Sequence, residues 1–228
     1  MKDKLANPKR SNIFKQFLYK TELRFNEIEK ATGIRSNDLA YFIQKLMDDG
    51  VLVKKDDLYS LSPQAEKYIP FFVESEDKQS PLPVVLVACV KDGKVILWKR
   101  SKRPYAGKWS LTGGRIRMGE TVEQASLRVV KSLTFIDSRL ESTNAVVSER
   151  NIESGEVKHA FIMLFTKVAP LNEIKEKDDI KWFALDNLPD DMIPSDRWLV
   201  QNKLDSRIEI CEESISSEGD SFDMELKD

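Results

Sequence analysis

Residues 103–130 have the sequence RPYAGKWSLTGGRIRMGETVEQASLRVV, which is the most informative segment for the architecture of the larger part of the chain. A pair of glycines, Gly113 and Gly114, precedes a charged loop, and residues 121–133 then place apolar side chains at helical spacing. A loop that leads into a helix N-terminus presents backbone N–H groups and the positive end of the helix dipole. The stretch therefore predicts a loop followed by a helix, at a place suited to an anion.

Strand candidates flank this stretch on both sides. Residues 84–90 (VVLVACV) form a continuous apolar run, and Asp92-Gly93 is a hairpin signal that precedes a second short strand. Further along the chain come the buried-strand candidate VKHAFIMLFTKVA at 157–169, the run IKWFAL at 180–185 and a closing helix at 196–204. A helix between strands in this order predicts a mixed α+β architecture.

The glycine-to-helix stretch resembles the signature region of Nudix domains, whose pattern begins G-x5-E-x7-R. Gly114, Glu120 and Arg128 match those three positions. The lead-in of that signature is matched by Trp109, Leu111 and Gly113. The resemblance extends over residues 81–208, and it implies a Nudix α/β/α sandwich-like domain with a mixed sheet.

The chain departs from the signature at the positions where the resemblance implies metal binding. In Nudix hydrolases, glutamates on the signature helix hold a divalent metal on a diphosphate, and hard cations of this kind need oxygen ligands. The three glutamate positions are occupied here by Val129, Ser132 and Leu133, Thr112 stands where proline is usual, and Phe135 replaces a glycine. We therefore expect no catalytic residue, no metal ligand and no cofactor, with Mg²⁺ required only if the chain is a hydrolase after all.

Two sets of residues remain for the chemistry of this region. The interval 98–118 contains seven Lys or Arg and no acid, and guanidinium groups grip phosphate without a metal. The expected contacts to a phosphorylated nucleotide or nucleotide-sugar are Arg100, Arg103, Lys108, Trp109, Gly113, Gly114, Arg115 and Glu120. Residual hydrolysis would need relocated acids, for which the candidates are Glu120, Glu149, Glu153 and Glu156. Glu120 has a second interpretation, in which it pairs with Arg128 two helical turns away.

The first 65 residues have the order helix, helix, turn, helix, hairpin, which resembles the winged helix-turn-helix family. The third helix lies in residues 34–50, and the hairpin strands VLVKK and LYSLS follow it. The resemblance implies contacts to double-stranded DNA from Arg35, Ser36, Asn37, Tyr41, Gln44, Lys45, Lys54 and Lys55. The alternative is a helical module for protein contacts, which Asp38 favours because an acid near the reading end repels phosphate.

The predicted organisation has four parts. We expect a winged helix-turn-helix domain at 1–73, a linker at 74–82, a Nudix-like domain at 83–210 and a disordered acidic tail at 211–228. The first ten residues lack the apolar segment of a secretory signal, and no run of about 18 apolar residues exists, so we expect a cytoplasmic protein without membrane spans. Two cysteines and one histidine argue against a disulfide framework or a Cys/His metal site.

The combination resembles Nudix-related transcriptional regulators. It implies a homodimeric, DNA-binding regulator of transcription in which an inactive, nucleotide-binding Nudix-like domain senses a phosphorylated nucleotide or sugar effector. The alternative is a divergent Nudix hydrolase of nucleoside diphosphate derivatives. A third possibility is a protein-interaction scaffold that uses both modules.

Overall fold

The computed structural model describes residues 3–69, 80–102, 105–218 and 221–227. The chain divides into two compact units, with the boundary between residues 79 and 80. Residues 74–79 of the predicted linker and the end of the first predicted domain at 70–73 lie outside the described residues. Within the described part of the chain, no helix combines the length and apolar character needed to cross a membrane.

The first unit consists of short helices and a small antiparallel sheet. After a 3-10 turn at Asp3–Leu5, its elements are α1 (Pro8–Gln16), β1 (Glu22–Arg24), α2 (Phe25–Thr32), α3 (Ser36–Asp48), β2 (Leu52–Lys55), β3 (Leu58–Leu61) and α4 (Pro63–Glu66). The strands lie in the order β1-β3-β2. The Asn7 side chain caps α1 by accepting from two backbone N–H groups, and Gly33 ends α2 in the left-handed conformation.

The helices of the first unit are held together by one apolar core. Their periodic apolar faces converge on fully buried side chains, among them Phe14, Ile28, Leu39 and Leu46. Each helix thus buries the stripe that its sequence predicts. The set of small helices and strands does not by itself establish the winged-helix class, which stays a prediction.

The second unit is built on a mixed seven-stranded sheet. Its elements are β4 (Leu82–Lys91), β5 (Lys94–Lys99), β6 (Trp109–Ser110), β7 (Thr112–Arg115), α5 (Val122–Thr134), β8 (Ser138–Glu153), β9 (Glu156–Pro170), β10 (Ile180–Ala184) and α6 (Pro194–Lys203). The main order is β10-β5-β4-β9-β8, while β6 pairs with β5 and β7 pairs with β4. Strands β4 and β9 run parallel and the other pairs are antiparallel. The predicted mixed sheet is confirmed.

Helices cover both faces of this sheet because β4 is apolar on both sides. Val85, Val87 and Cys89 pack on the same side as α5, whereas Leu86 and Ala88 pack on the side of α6. Successive side chains of a strand point to opposite faces, so a continuous apolar run is what a strand between two helical layers requires. The face that carries α5 is called the helix-α5 face below, and the opposite one the cleft face.

Strands β8 and β9 form a long hairpin whose turn lies at Ser154 and Gly155. On β8 the residues Ala145 and Val147 pack on the cleft face, and Glu149 continues the same alternation. The register of the hairpin shifts at three places, the last between Asn151 and Ile152. The hairpin therefore carries Glu149 to the cleft face and its turn away from the core.

The C-terminal segment differs from the disordered tail that its composition predicts. Strands β11 (Glu212–Glu218) and β12 (Ser221–Lys227) pair as an antiparallel hairpin. Ile215 lies opposite Met224, a two-residue periodicity that a count of acids and apolar residues does not detect. A Glu212 oxygen accepts the backbone N–H of Val122 at 2.7 Å, which joins the start of this hairpin to the first turn of α5.

The two cysteines lie in contrasting environments. Cys89 is buried in β4, and desolvation raises the pKa of its thiol to about 12. Cys211 is exposed, directly before the C-terminal hairpin. Neither thiol forms a disulfide.

Candidate nucleotide-binding site

The two glycines of the signature stretch lie in β7, where the chain packs tightly against its own neighbours. A Cβ atom at Gly113 would lie 3.0 Å from the Val85 carbonyl oxygen and 3.2 Å from a methyl group of Leu86. A Cβ atom at Gly114 would lie 2.8 Å from Cγ1 of Val129 on α5. Gly113 pairs with Leu86 and so faces the cleft, whereas Gly114 pairs with Val85 and faces α5. The close contact between β7 and Val129 is therefore sufficient reason for a glycine at position 114.

Glu120 and Arg128 form an ion pair that closes the loop before α5. Arg128 donates from Nη2 to a Glu120 oxygen at 2.8 Å and from Nε to the other oxygen. The same oxygen that accepts from Nη2 also accepts the backbone N–H of Arg117 at 2.9 Å. These contacts, above all the one from Arg128, lower the pKa of Glu120 to about 2. The carboxylate therefore holds the loop, as in the second interpretation of Glu120, while its contact with a ligand stays a prediction.

The residues at the glutamate positions of the signature do not fit a divalent cation. Val129 is only 6% exposed, and Leu133 packs against the core on the helix-α5 face. The Ser132 hydroxyl donates to the Arg128 carbonyl at 2.7 Å. Thr112 adds one buried hydroxyl without a hydrogen-bond partner, which cannot replace several carboxylates. Among the described residues, no group of three or more His, Cys, Asp and Glu is placed to hold a metal.

The basic residues of the signature region lie at two ends of an extended segment. Arg100 donates its backbone N–H to the Lys108 carbonyl at 2.9 Å, so these two residues share one end. Arg115 follows Lys108 by seven residues, through β6 and β7, which corresponds to roughly 20 Å. The sequence prediction placed all these cations around the glycine pair, but the extended backbone separates them. Arg103 lies outside the described residues.

A buried carboxylate that the sequence prediction missed lies at the floor of the cleft face. Asp196 in the first turn of α6 is 4% exposed and accepts from the Ser110 hydroxyl at 2.8 Å and the Leu111 N–H at 2.9 Å. Burial raises the pKa of Asp196 to about 6; the charge of Glu149 raises it further, and that of Arg100 lowers it. An acid in the first turn of a helix is ordinary capping chemistry, so the local sequence gave no signal.

The loop before β6 and the β8–β9 hairpin are joined by a side-chain hydrogen bond. Asn151 donates to the Tyr105 hydroxyl at 2.7 Å and so ties this loop to the hairpin. Glu153 and Glu156 are exposed beside the turn, and Glu156 pairs with Lys158. Of the relocated acids that the sequence suggested, Glu149 is the one whose charge acts on Asp196.

Trp98 and Trp109 serve mainly as packing residues. Trp109 is buried, with its ring edge-on to Phe183 at a centroid distance of 5.0 Å. Trp98 donates its indole N–H to the Leu111 carbonyl at 3.0 Å, and the Arg100 guanidinium lies 5.5 Å from its ring. The predicted ligand contact by Trp109 is therefore at odds with its position in the core.

In the first unit, the residues predicted to contact DNA are exposed, but several interact with neighbouring side chains. The Ser36 hydroxyl donates to Glu29, and Gln44 donates to Asp48 at 2.8 Å. Lys45 lies over the Tyr41 ring, and Lys54 lies over the Tyr59 ring. Exposed positions without such an observed contact are Arg35, Asn37 and Lys55. The described structure thus presents a surface of mixed charge.

The Nudix domain model matches residues 80–202, and the chain belongs to the Nudix family. An ADP-ribose pyrophosphatase of Methanocaldococcus jannaschii is 34% identical over 102 residues, which cover 43% of this chain and 59% of that protein. An oxidized purine nucleoside triphosphate hydrolase of Danio rerio is 28% identical over 108 residues, covering 46% of this chain and 68% of that protein. The crystal structure of a MutT Nudix hydrolase from Burkholderia pseudomallei is 27% identical, covers 54% of this chain and 98% of its own, and has a TM-score of 0.43.

These relatives correct the interpretation drawn from the sequence. The proteins that resemble the second unit are named as hydrolases of nucleotide derivatives, so the predicted transcriptional regulator is wrong. Double-stranded DNA as a partner and the homodimer have no support either. A nucleotide-type ligand agrees with the relatives. The match to the first of them spans about three fifths of its length.

Proposed function

We propose that the second unit is a divergent Nudix hydrolase whose substrates are nucleoside diphosphate derivatives. The observation that carries the proposal is that three residues of the signature, Gly114, Glu120 and Arg128, are present. Glu120 and Arg128 form an ion pair that closes the loop after Gly114. The 34% identity to a protein named ADP-ribose pyrophosphatase supports the same substrate class.

The substrate of this hydrolase lies on the cleft face. Asp196 bonds to Leu111, which is two residues from Gly113, so the cleft floor and the glycine pair are about 7 Å apart. The charge of Arg100 acts on Asp196, and Tyr105 is bonded to the β8–β9 hairpin, so these two residues offer a cation and an aromatic hydroxyl to a nucleotide. One bound molecule therefore reaches both the cleft floor and the glycine pair.

The carboxylates of the cleft are the groups available for proton transfer. Because α5 does not fit a metal, the proton of an attacking water passes to a side chain of this region, for which Glu149 is the half-buried candidate. Asp196, with a pKa of about 6, holds or releases a proton close to neutral pH. Its hydrogen bonds to Ser110 and Leu111 make it a positioning residue for the cleft floor.

Turnover is tested with ADP-ribose, NADH, nucleoside triphosphates and diphosphate sugars, by chromatographic separation of the products. We expect a protein-dependent product that is lost in Glu149→Gln. The matched control is Glu153→Gln, on the same hairpin but exposed beside its turn, which should retain activity. Equal activity of the two variants would remove Glu149 from the reaction, and the absence of any product would contradict the hydrolase.

A second candidate is binding of the same ligand class without turnover. It is favoured by the apolar residues Val129 and Leu133 at positions where the family uses carboxylates. Calorimetric binding of ADP-ribose, with no product after prolonged incubation, would select this candidate over the hydrolase.

That the first unit has the winged-helix fold is also a proposal. Its support is the order of α1, α2 and α3 followed by the β2–β3 hairpin, with β1 completing the sheet. An experimental structure of the full chain in which β2 and β3 do not pair would contradict it.

A further inference from the structure

We infer that this site contacts the phosphates of its ligand without a divalent cation, and that Arg115 supplies the positive charge beside Gly113. The inference takes only the class of ligand from the proposed function. Its two parts concern the surface of α5, where a metal does not fit, and the row of residues that β7 presents to the cleft.

The first part is that packing fills the face of α5 on which the family's carboxylates lie. Val129 contacts the strand directly above Gly114, where even a methyl group would clash. Leu133 packs against the core, and Ser132 bonds to a helix carbonyl. The carboxylate nearest in sequence, that of Glu120, accepts from Arg128 through both oxygens. A hard cation meets no converging set of oxygens here.

The second part concerns three alternate residues, Leu111, Gly113 and Arg115, which lie in a row on the cleft face. Leu111 packs in the core on this face, and Gly113 pairs with Leu86 of the same core. Arg115 pairs with Val84, which also packs against that core, so Arg115 is the next side chain on the cleft face after Gly113. Gly113 has no side chain on this face, so the backbone there is open next to the exposed guanidinium of Arg115.

The backbone of Arg115 is fixed independently of its side chain. Its carbonyl accepts from Arg128 Nη2 at 2.8 Å, and Arg128 is in turn held by Glu120. A guanidinium on a fixed backbone presents two parallel N–H groups to a phosphate, which is a strong, charge-assisted and metal-independent contact. The ion pair inside the signature thus fixes the backbone from which Arg115 extends on the cleft face, the side of β7 opposite Val129.

The first arm of the test measures metal binding alone, by electron paramagnetic resonance of added Mn²⁺. The wild-type chain should not take up stoichiometric Mn²⁺, whereas Val129→Glu/Ser132→Glu/Leu133→Glu should. The control Gln124→Glu/Lys131→Glu adds the same three units of negative charge on exposed positions of α5 and should not bind Mn²⁺. Circular dichroism verifies that the variants fold.

Two outcomes of this arm overturn the inference. Stoichiometric Mn²⁺ uptake by the wild-type chain would show that a metal site exists. This measurement does not depend on whether any variant folds. A folded triple variant without Mn²⁺ shows that the missing carboxylates are not what excludes the metal.

The second arm measures binding of the α,β-methylene analogue of ADP-ribose by calorimetry, in EDTA and in Mg²⁺. The affinity should be equal in both, and Arg115→Ala should weaken it by about tenfold or more in EDTA. Arg139→Ala is the control, because Arg139 is also an exposed arginine and pairs with Glu141 on β8.

The second arm separates failure of this inference from failure of the proposed function. Binding that requires Mg²⁺, or is unchanged in Arg115→Ala, overturns the inference. If the analogue binds under neither condition, the proposed ligand class fails, and the Mn²⁺ arm still decides whether the site holds a metal.

Discussion

At the scale of single residues, the most informative group is the Asp196 carboxyl. It is buried where α6 lies beside β6, and among the described residues it accepts hydrogen bonds from Ser110 and Leu111. Desolvation outweighs these two bonds, and the pKa of Asp196 rises from 3.8 to about 6. The protein therefore keeps a group that binds a proton more tightly in the folded state than in the unfolded one.

The expected consequence is a loss of stability as the pH rises from about 4 to about 6. Below this window the carboxyl is protonated in both states, and above it the buried charge is a constant cost on the order of 2–3 kcal/mol. Asp196→Asn should flatten this part of the profile, as measured by urea unfolding at several pH values. Asp186→Asn, at an exposed carboxylate, is the control. An unchanged slope in Asp196→Asn would refute the assignment.

The end of α5 provides a second residue-scale prediction. Phe135 follows the helix with a φ of 61°, a conformation that glycine adopts without strain, and its ring is 76% exposed. Phe135→Gly should be more stable than Phe135→Ala by about 1 kcal/mol, because both remove the ring but only glycine relieves the backbone. Urea unfolding of the two variants measures this difference, and a more stable alanine variant would contradict it.

At the scale of elements, the contact between β7 and α5 is the tightest that the signature makes. Gly114→Ala should cost roughly 1–3 kcal/mol, because its new methyl group overlaps Val129. In a Val129→Ala background the same substitution should cost clearly less, since the overlapping methyl group is gone. A double-mutant cycle by urea unfolding measures this coupling. Additive effects would show that the two positions do not contact each other.

Local sequence patterns predict some of these elements and miss others. Helix α5 and strand β9 follow from the apolar pattern over a few residues, and the glycine pair follows from residue identity. Strand β8 was missed because it lies at the sheet edge and most of its side chains are polar. The bond between Asp196 and Ser110 joins positions 86 residues apart, and no local pattern reports such a contact. The absence of carboxylates at Val129 and Leu133 could be predicted from the sequence, because it depends only on which residues occupy those two positions.

At the scale of the whole molecule, each of the two units has its own apolar core. Phe14, Ile28 and Leu39 belong to the core of the first unit, while the sheet of the second is covered on both faces by its own helices. The family match begins at residue 80, next to the boundary between the units. The part of the chain that belongs to the Nudix family is thus a folding unit with a complete core.

We therefore expect a fragment of residues 80–228 to fold without the first unit. Its urea midpoint, followed by tryptophan fluorescence, should equal that of the corresponding transition in the full chain. All four tryptophans, Trp98, Trp109, Trp182 and Trp198, lie in this fragment, so the signal reports it alone. A fragment that does not unfold cooperatively would show that its stability depends on residues 1–79.

The contrast between the two cysteines makes the native chain its own chemical reporter. Cys211 is exposed and accepts a maleimide label under native conditions, whereas the Cys89 thiol is inert as long as β4 stays covered by α5. A brief pulse of reagent therefore attaches a single mass to folded molecules and two to molecules whose sheet has opened. Mass spectrometry then measures the fraction of molecules whose sheet has opened. The measurement requires no substitution in the chain and can be made in the presence of any nucleotide.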